Sequence, residues 1–315
     1  MTTSADLRGL GVAVATPFDA AGKVDYAAFE GLLEFLAGTS TARAGALDDF
    51  RKREAGGCDF LVILGSTGEA ATIEPAERRA IVEFAVAHSH GLPIVIGTGS
   101  NSTAQAVRYT AEAVSQGADA VLVVTPFYNK PSPDGLVAHY TAVAEAAAGR
   151  PVVVYNVPGR TGLNLTPAAL ARLWKIPGID ALKESSGNLA QIGEIARTLP
   201  EGKVLLSGDD ALALPALAVG ASGLISVVGN ILPRRTKAML EAAFAGNREE
   251  SIRIHQSLLP VMDALFLESN PIPLKAAFSL TALAADALRL PLCPASQATR
   301  ASLAKVLVPF LEAAK

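Results

Sequence analysis

Residues 179–185 read Ile-Asp-Ala-Leu-Lys-Glu-Ser, so a short apolar run ends on the ammonium group of Lys183. The run predicts a buried strand that carries this lysine to its end. Burial disfavours the charged form of an amine, and the neutral amine is the nucleophile that forms Schiff bases with ketones. The same pattern also fits a lysine that extends from a strand end into solvent. The rest of the chain has to decide between these two interpretations.

Seven further apolar, β-branched runs occur along the chain, and Ala-rich segments with helical spacing lie between them. The predicted strands are at 11–15, 60–64, 93–96, 120–124, 152–155, 179–182, 204–206 and 224–228. The predicted helices are at 75–87, 102–116, 135–148, 167–174, 189–199 and 210–219. Continuous apolar strands that alternate with helices predict an α/β fold with a parallel sheet covered by helices. Eight repeats favour a closed (β/α)8 TIM barrel over an open sheet.

The chain continues well beyond the last predicted strand, through helical patterns at 234–245, 249–267, 273–285 and 296–313. We assign the first pattern to the barrel as its eighth helix and the other three to a C-terminal helical appendage. The predicted domains are therefore a (β/α)8 barrel catalytic domain at 1–246 and a C-terminal helical domain at 247–315. A chain of 315 residues with 50% hydrophobic content can bury a core of this size.

Charge and hydropathy argue against a nucleic-acid partner and against a membrane segment. The formal net charge is −3 and the sequence pI is about 5.9. The compact basic cluster at 51–53 is flanked by acidic residues, which is typical of a solvated helix face. Residues 211–233 carry no charge, but their prolines and glycines predict a helix and a strand rather than a membrane span. The first residues show no signal-peptide pattern, so secretion is not expected.

The cysteine and histidine content predicts no metal and no disulfide framework. Cys58 and Cys293 are the only cysteines, and no paired-cysteine metal motif occurs. The four histidines are scattered along the chain. We therefore expect no cofactor and a reducing, cytoplasmic location.

Polar residues follow the predicted strands, at the end of the barrel where TIM-barrel enzymes have their active sites. The turn 65–69, Gly-Ser-Thr-Gly-Glu, fits a helix-capping turn or a phosphate-binding loop, although it lacks the lysine of a Walker motif. Tyr155 fits a core aromatic residue with a satisfied hydroxyl group. Arg160 fits an exposed surface arginine, or a ligand that binds a carboxylate bidentately. Together with Lys183, these residues would converge on one site.

The motif series resembles the dihydrodipicolinate synthase family, pyruvate-dependent class I aldolases that include N-acetylneuraminate lyase. The resemblance extends from about residue 10 to about residue 304. It rests on Tyr-Asn-Val-Pro-Gly-Arg-Thr-Gly at 155–162, Leu-Lys-Glu-Ser-Ser-Gly-Asn at 182–188, and the segments 15–18, 65–69, 125–131, 206–210 and 270–275. The family shares the barrel, the lysine and the Gly-x-Thr-Gly-Glu loop.

The resemblance implies a reaction in which Lys183 forms an imine with pyruvate. The derived enamine would attack L-aspartate 4-semialdehyde and give 4-hydroxy-tetrahydrodipicolinate, on the route to diaminopimelate and lysine. Tyr155 would shuttle protons, and Thr67 would connect it to Tyr128 in a relay. Ser66 stands where the family more often has threonine, and it keeps the hydroxyl group. The family's equivalent of Tyr128 reaches into a neighbouring subunit, which implies a homo-oligomer, at least a dimer and usually a tetramer.

The resemblance also implies the binding residues. Ser66 and Thr67 would hold the carboxylate of pyruvate, and Arg160 would hold that of the second substrate. The backbone around Gly208 and Ile225 would complete the pocket. Arg160 favours this reaction over those of N-acetylneuraminate lyase and the sugar-acid aldolases. A catalytically silent regulatory paralogue is a third alternative, which the retained catalytic residues disfavour.

Two departures from the family pattern carry their own expectations. Phe127, Pro75, Arg78 and Gln105 differ from the residues of the inhibitor site in lysine-inhibited members, so we expect weak or absent inhibition by lysine. The chain also has extra residues around 38–54. Because the helix after the first strand runs away from the catalytic end, this extension should lie away from the chemistry.

Overall fold

The computed structural model describes residues 3–39 and 47–312, which contain eight parallel strands closed into a barrel. The strands pair in sequence order, and the last one pairs with the first. They are β1 (Gly9–Ala13), β2 (Phe60–Ile63), β3 (Ile94–Gly97), β4 (Ala120–Val124), β5 (Val152–Asn156), β6 (Ile179–Glu184), β7 (Val204–Ser207) and β8 (Gly223–Ser226). The prediction of a TIM barrel is confirmed, with every strand end within two residues of the predicted position.

Helices connect the strands and continue after β8. They are α1 (Tyr26–Ala37), α2 (Asp48–Glu54), α3 (Pro75–Ala87), α4 (Thr103–Ser115), α5 (Pro133–Ala146), α6 (Pro158–Thr161), α7 (Pro167–Leu173), α8 (Leu189–Arg197), α9 (Ala213–Ala218), α10 (Pro233–Phe244), α11 (Arg248–Ala264), α12 (Ile272–Thr281) and α13 (Gln297–Leu311). Several begin at side chains that accept a hydrogen bond from the third helical N–H, which is the usual N-cap arrangement. Examples are Ser102, Ser132, Thr166 and Asn188.

Strand β6 extends two residues beyond its predicted end and therefore contains Lys183. Side chains alternate between the two faces of a strand. Ala181 belongs to the cluster that fills the barrel, and Leu182 belongs to the cluster between the barrel and the helices. Lys183 therefore shares the inward face with Ala181. Its register partners are Tyr155 on β5 and Leu206 on β7.

The C-terminal helices pack into the same apolar core as the helices that surround the barrel. Leu258, Phe278 and Leu303, from α11, α12 and α13, are fully buried in one cluster with Phe29 of α1. No separate core is therefore needed for these helices. The division into two domains at residue 246 stays a prediction.

The extra segment between α1 and β2 is partly helical and docks on the outer helices. Its described part contains α2, in which Phe50 is fully buried. Glu54 is also buried and accepts a hydrogen bond from Nε of Arg235 on α10, at 2.6 Å. Residues 40–46, where much of the predicted extension falls, lie outside the described residues. None of these α2 contacts involves the carboxyl ends of the strands.

The basic cluster in α2 differs from the solvated helix face that the sequence predicts. Only Lys52 is exposed, where it pairs with Asp48. Arg51 donates to the carbonyl oxygen of Ala282, at the end of α12. Arg53 donates to the carbonyl oxygen of Phe310 in α13, at 2.9 Å. The interpretation was wrong for both arginines because their backbone acceptors come from segments more than two hundred residues away in the sequence.

The uncharged stretch 211–233 forms α9, β8 and the turns around them, as its prolines and glycines predict. Across residues 3–39 and 47–312, every helix is too short or too polar to cross a membrane. A cytoplasmic location stays a prediction.

Candidate active site

A cavity of about 150 Å³ lies at the carboxyl ends of the strands and brings most of the predicted site residues together. The predicted residues among its walls are Ser66, Thr67, Tyr155, Arg160, Lys183 and Gly208. They come from β2, β5, β6 and β7 and from the turns that follow these strands. The strand-end rule explains why these residues lie together, because parallel strands of a closed barrel all end at one face.

Lys183 is buried within this cavity and does not extend into solvent. Its relative exposure is 5%. Its Nζ atom lies 4.4 Å from the centroid of the Tyr155 ring on the neighbouring strand. The in-register pairing of the two residues fixes this approach. The amine therefore lies beside a hydroxyl-bearing ring in a small enclosed space, where a carbonyl compound could react with it.

Gly208 leaves room for the lysine stem. A Cβ atom at this position would lie 2.7 Å from Cε of Lys183 and would overlap Oγ of Ser185. Any larger residue must therefore displace both of these side chains. Gly208 shapes the cavity by the absence of a side chain, in agreement with its predicted place in the pocket.

The turn 65–69 presents polar groups opposite Lys183. Within it, Gly68 and Glu69 donate their N–H groups to the carbonyl oxygens of Gly65 and Ser66. Among the described residues, the N–H groups of Ser66 and Thr67 have no acceptor. A short 3-10 helix, Ala70–Thr72, follows the turn directly without a side-chain cap, and α3 begins only at Pro75, where Glu74 caps it. The side chains of the turn therefore do not cap a helix, and its two unpaired N–H groups suit an anion such as a carboxylate.

Glu69 fixes the end of this turn and does not line the cavity. It is buried, with a left-handed φ of 52°. Its carboxylate lies 2.5 Å from Nζ of Lys275, which is itself fully buried in α12. Burial lowers the pKa of Lys275 to about 8, and the charge of Glu69 opposes this shift. Arg289 donates its backbone N–H to the same carboxylate, at 3.1 Å.

Asn270 is a site residue that the sequence reasoning missed. Its side-chain N–H group donates to Oγ1 of Thr67 at 2.9 Å. Its backbone carbonyl oxygen accepts a hydrogen bond from the guanidinium of Arg160 at 3.1 Å. Asn270 therefore connects the turn after β2 to the turn after β5, although it comes from the loop before α12. Asn270 lies in the segment 270–275, which resembles the family, and this resemblance could have indicated a site residue. Its contacts could not be predicted, because Thr67 and Arg160 are more than a hundred residues away in the sequence.

The end of β8 is held by a buried carboxylate. Asp210 accepts hydrogen bonds from Oγ of Ser226 at 2.5 Å and from the N–H of Val227 at 2.8 Å. Burial raises the pKa of Asp210, and these hydrogen bonds oppose the shift. Val227 lines the cavity, as does Asp209. Ile225 does not, because its side chain is fully buried in the cluster that fills the barrel.

A second buried carboxylate supports Lys183 from the outer face of β6. Glu184 accepts hydrogen bonds from the side-chain nitrogen of Asn156 at 2.9 Å and from the N–H of Ser186 at 2.7 Å. Burial raises the pKa of Glu184, and the hydrogen bonds oppose this shift. These contacts hold the end of β6 against β5 and so stabilise the position of Lys183.

Tyr128 lies outside the cavity of its own chain. It is 88% exposed and has a left-handed φ of 71°. The hydroxyl oxygen of Thr67, its predicted relay partner, accepts a hydrogen bond from Asn270, and Tyr128 of the same chain does not contact it. Within a single chain, the described residues therefore do not assemble the predicted relay.

Across residues 3–39 and 47–312, no three His, Cys, Asp or Glu side chains form a group that could bind a metal ion. The polar groups of the cavity are an amine, a guanidinium, hydroxyl groups, an amide, one carboxylate and backbone N–H groups. Such a set can bind carboxylates and form an imine.

A buried lysine beside a tyrosine, at the carboxyl end of a (β/α)8 barrel, defines a class I aldolase, a lyase that works through a lysine imine. Residues 50–309 match the model of the dihydrodipicolinate synthetase family. The chain belongs to this family.

Individual relatives are similar to this chain over nearly its whole length. The 4-hydroxy-tetrahydrodipicolinate synthase of Kosmotoga olearia is 43% identical over 305 residues, which cover 95% of this chain and 97% of the relative. The crystal structure of dihydrodipicolinate synthase from Aquifex aeolicus has a TM-score of 0.87 at 37% identity and covers 96% of this chain and 98% of that one. DHDPS from Cyanidioschyzon merolae with lysine bound has a TM-score of 0.88 at 36% identity and covers 97% and 98%.

The buried pair of Lys275 and Glu69 should be important for stability. Lys275→Met keeps an unbranched side chain but leaves the Glu69 carboxylate buried without its partner. We expect the free energy of unfolding to fall by about 3 to 5 kcal/mol, because an uncompensated buried charge is costly. Urea unfolding at equal protein concentration measures this difference.

Lys52→Met is the matched control, because Lys52 is exposed to solvent where it pairs with Asp48. Its stability should change little, since solvent screens exposed pairs. Equal losses of unfolding free energy in the two variants would contradict the importance of the buried pair for stability.

Proposed function

We propose that this chain condenses pyruvate with L-aspartate 4-semialdehyde to give 4-hydroxy-tetrahydrodipicolinate, for diaminopimelate and lysine biosynthesis. The observation that carries the proposal is the buried amine of Lys183, 4.4 Å from the ring of Tyr155, in a cavity that also contains Arg160. The name of the Kosmotoga olearia relative supports the same reaction.

The chemistry follows from the position of the amine. Nζ of Lys183 adds to the carbonyl carbon of pyruvate, and the carbinolamine loses water to give an imine. Loss of a proton from the methyl group gives an enamine, whose carbon attacks the aldehyde. Tyr155, whose ring lies beside the amine, would deliver and remove the protons of imine formation. Cyclisation of the adduct and its release from the lysine complete the cycle.

The turn after β2 would orient pyruvate for this reaction. Its carboxylate fits the unpaired N–H groups of Ser66 and Thr67, across the barrel from Lys183. The hydroxyl groups of the same two residues add donors. Anchoring the carboxylate there would hold the keto carbon near the amine.

Arg160 would bind the carboxylate of the second substrate. Its guanidinium is partly exposed, lines the cavity and is held by the carbonyl oxygen of Asn270 at 3.1 Å. Because only one described acceptor uses this guanidinium, other N–H groups stay free for a bidentate pair with a carboxylate. A sugar-derived aldehyde has no such carboxylate, so this residue supports the semialdehyde as acceptor.

The acceptor can be tested by comparing initial rates with pyruvate and different aldehydes. Aspartate semialdehyde should give by far the highest kcat/KM, whereas N-acetylmannosamine and sugar-derived aldehydes should give little product. Preference for a sugar aldehyde would overturn the proposal. Arg160→Ala should lower kcat/KM for the semialdehyde by roughly 100-fold, since a bidentate ionic contact is lost.

The matched control is Arg172→Ala, which removes an exposed arginine paired with Asp134, outside the cavity. It should leave all rates unchanged. Imine formation with pyruvate alone should survive in both variants. An equal loss of imine formation and of condensation in Arg160→Ala would contradict the assigned role.

We infer that the active enzyme is a homo-oligomer, at least a dimer and usually, in this family, a tetramer. Tyr128 supports this inference, because a tyrosine with 88% of its surface exposed lies on a rigid, proline-containing loop outside its own cavity. A neighbouring subunit would receive this side chain and complete the relay with Thr67.

Complementation tests whether Tyr128 acts across subunits. Tyr128→Phe and Lys183→Ala chains, each expressed alone, should have low or no activity. Co-expressed chains should regain about a quarter of the wild-type activity, because hybrid dimers contain one complete site. Absence of any regain, or full activity in a species that sediments as a monomer, would contradict the inference.

We also propose that lysine does not inhibit this enzyme strongly. Arg78 stands in the region that binds the inhibitor in lysine-sensitive members. It is buried, donates to the carbonyl oxygen of Gly97 and lies 4.2 Å from the centroid of the Tyr109 ring. Burial lowers the pKa of Arg78 to about 10, which still leaves a cation at neutral pH. This fixed cation would repel the ammonium group of lysine.

Initial rates with and without millimolar lysine measure the effect, and they should agree. Arg78→Gln is a useful companion variant, because it removes the cation and should permit more inhibition than the wild type shows. A strong loss of rate in the wild type at millimolar lysine would contradict the proposal.

A further inference from the structure

Ser185 has a hydroxyl group in the active-site cavity that no role described so far explains. Its N–H group donates to the carbonyl oxygen of Asn156 at 2.8 Å, which continues the pairing of β6 with β5. Because side chains alternate, Ser185 points to the same face as Lys183, two residues earlier. It lines the cavity. Its Oγ atom is shielded from solvent and has no hydrogen-bond partner among the described residues.

Gly208 lies directly beside this hydroxyl group. A Cβ atom on Gly208 would meet both Oγ of Ser185 and Cε of Lys183, so these two atoms border the same small space. The next serine, Ser186, differs from Ser185 in its location and in its hydrogen bonding. It does not line the cavity, and its Oγ atom accepts a hydrogen bond from the N–H group of Asn188 at 3.2 Å.

A shielded hydroxyl group without a partner lowers stability, so a ligand atom is its natural partner. The carboxylate of pyruvate is accounted for by the turn after β2, which lies on the opposite side of the eight-stranded barrel from β6. The carboxylate of the second substrate is accounted for by Arg160, after β5. The polar atom that remains close to the reacting carbons is the aldehyde oxygen.

We propose that Oγ of Ser185 donates a hydrogen bond to the aldehyde oxygen of the second substrate while the carbon–carbon bond forms. This inference rests on the proposed function. In this step the enamine carbon bonds to the aldehyde carbon, and the π electrons of the carbonyl group move to its oxygen. The nitrogen on Lys183 becomes an iminium ion, and the alkoxide takes a proton from solvent. Ser185 keeps its own proton and stabilises the charge that develops on oxygen.

The contact also has a geometric reason. Reacting atoms must approach to about 3 to 3.5 Å. The nucleophilic carbon is two bonds from Nζ of Lys183, so the aldehyde must lie next to the end of the lysine stem. Ser185 borders that end, and a donor there would orient the carbonyl group toward the enamine.

The test compares two reactions in Ser185→Ala and in the control Ser186→Ala. Exchange of the methyl hydrogens of pyruvate for deuterium, without any aldehyde, reports imine and enamine formation. It should stay within about twofold of the wild type in both variants. Condensation with aspartate semialdehyde should lose roughly 10- to 100-fold in kcat in Ser185→Ala, with KM changed much less. Ser185→Thr keeps the hydroxyl group and should restore most of this loss.

Unchanged condensation in Ser185→Ala would overturn the inference. So would a parallel loss of hydrogen exchange, because the serine would then act by positioning Lys183 or in imine formation. The proposed function fails separately, if the wild-type enzyme exchanges the pyruvate hydrogens but does not use the semialdehyde. A loss in Ser186→Ala equal to that in Ser185→Ala would also contradict a direct contact.

Discussion

The structure depends on one constraint: the amine of Lys183 has to be buried inside the end of the barrel and still reach a substrate. Strand β6 meets the first requirement by carrying the lysine on its inward face, in register with Tyr155. Gly208 meets the second, because any side chain there would collide with the lysine stem. The pairing of three adjacent strands thus determines where the nucleophile lies.

Segments far away in the sequence complete the site around this amine. The loop before α12 supplies Asn270, which holds both Thr67 and Arg160. Helix α12 supplies Lys275, whose buried pair with Glu69 anchors the turn after β2. The C-terminal helices are therefore part of the construction of the site, and the extra helix α2 is fastened to their outer side, at Ala282 and Phe310.

The strands, the barrel and the adjacency of Lys183 and Tyr155 could be predicted because they follow from local periodicity and from the parallel register of neighbouring strands. The tertiary contacts between distant segments could not be predicted. The bond between Asn270 and Thr67 joins residues 203 positions apart, and no local pattern encodes it. The backbone around Ile225 was expected at the pocket; the side chain of Ile225 is buried inside the barrel, and Val227, two residues later, lines the cavity. The role of Tyr128 depends on a second subunit.

The most direct test of the account is reduction with borohydride in the presence of pyruvate, followed by peptide mass mapping. The account predicts one covalent adduct of pyruvate, on the peptide that contains Lys183, together with loss of activity. The same treatment of Lys183→Ala should give no adduct. An adduct on a different lysine, or normal turnover by Lys183→Ala, would contradict the central claim.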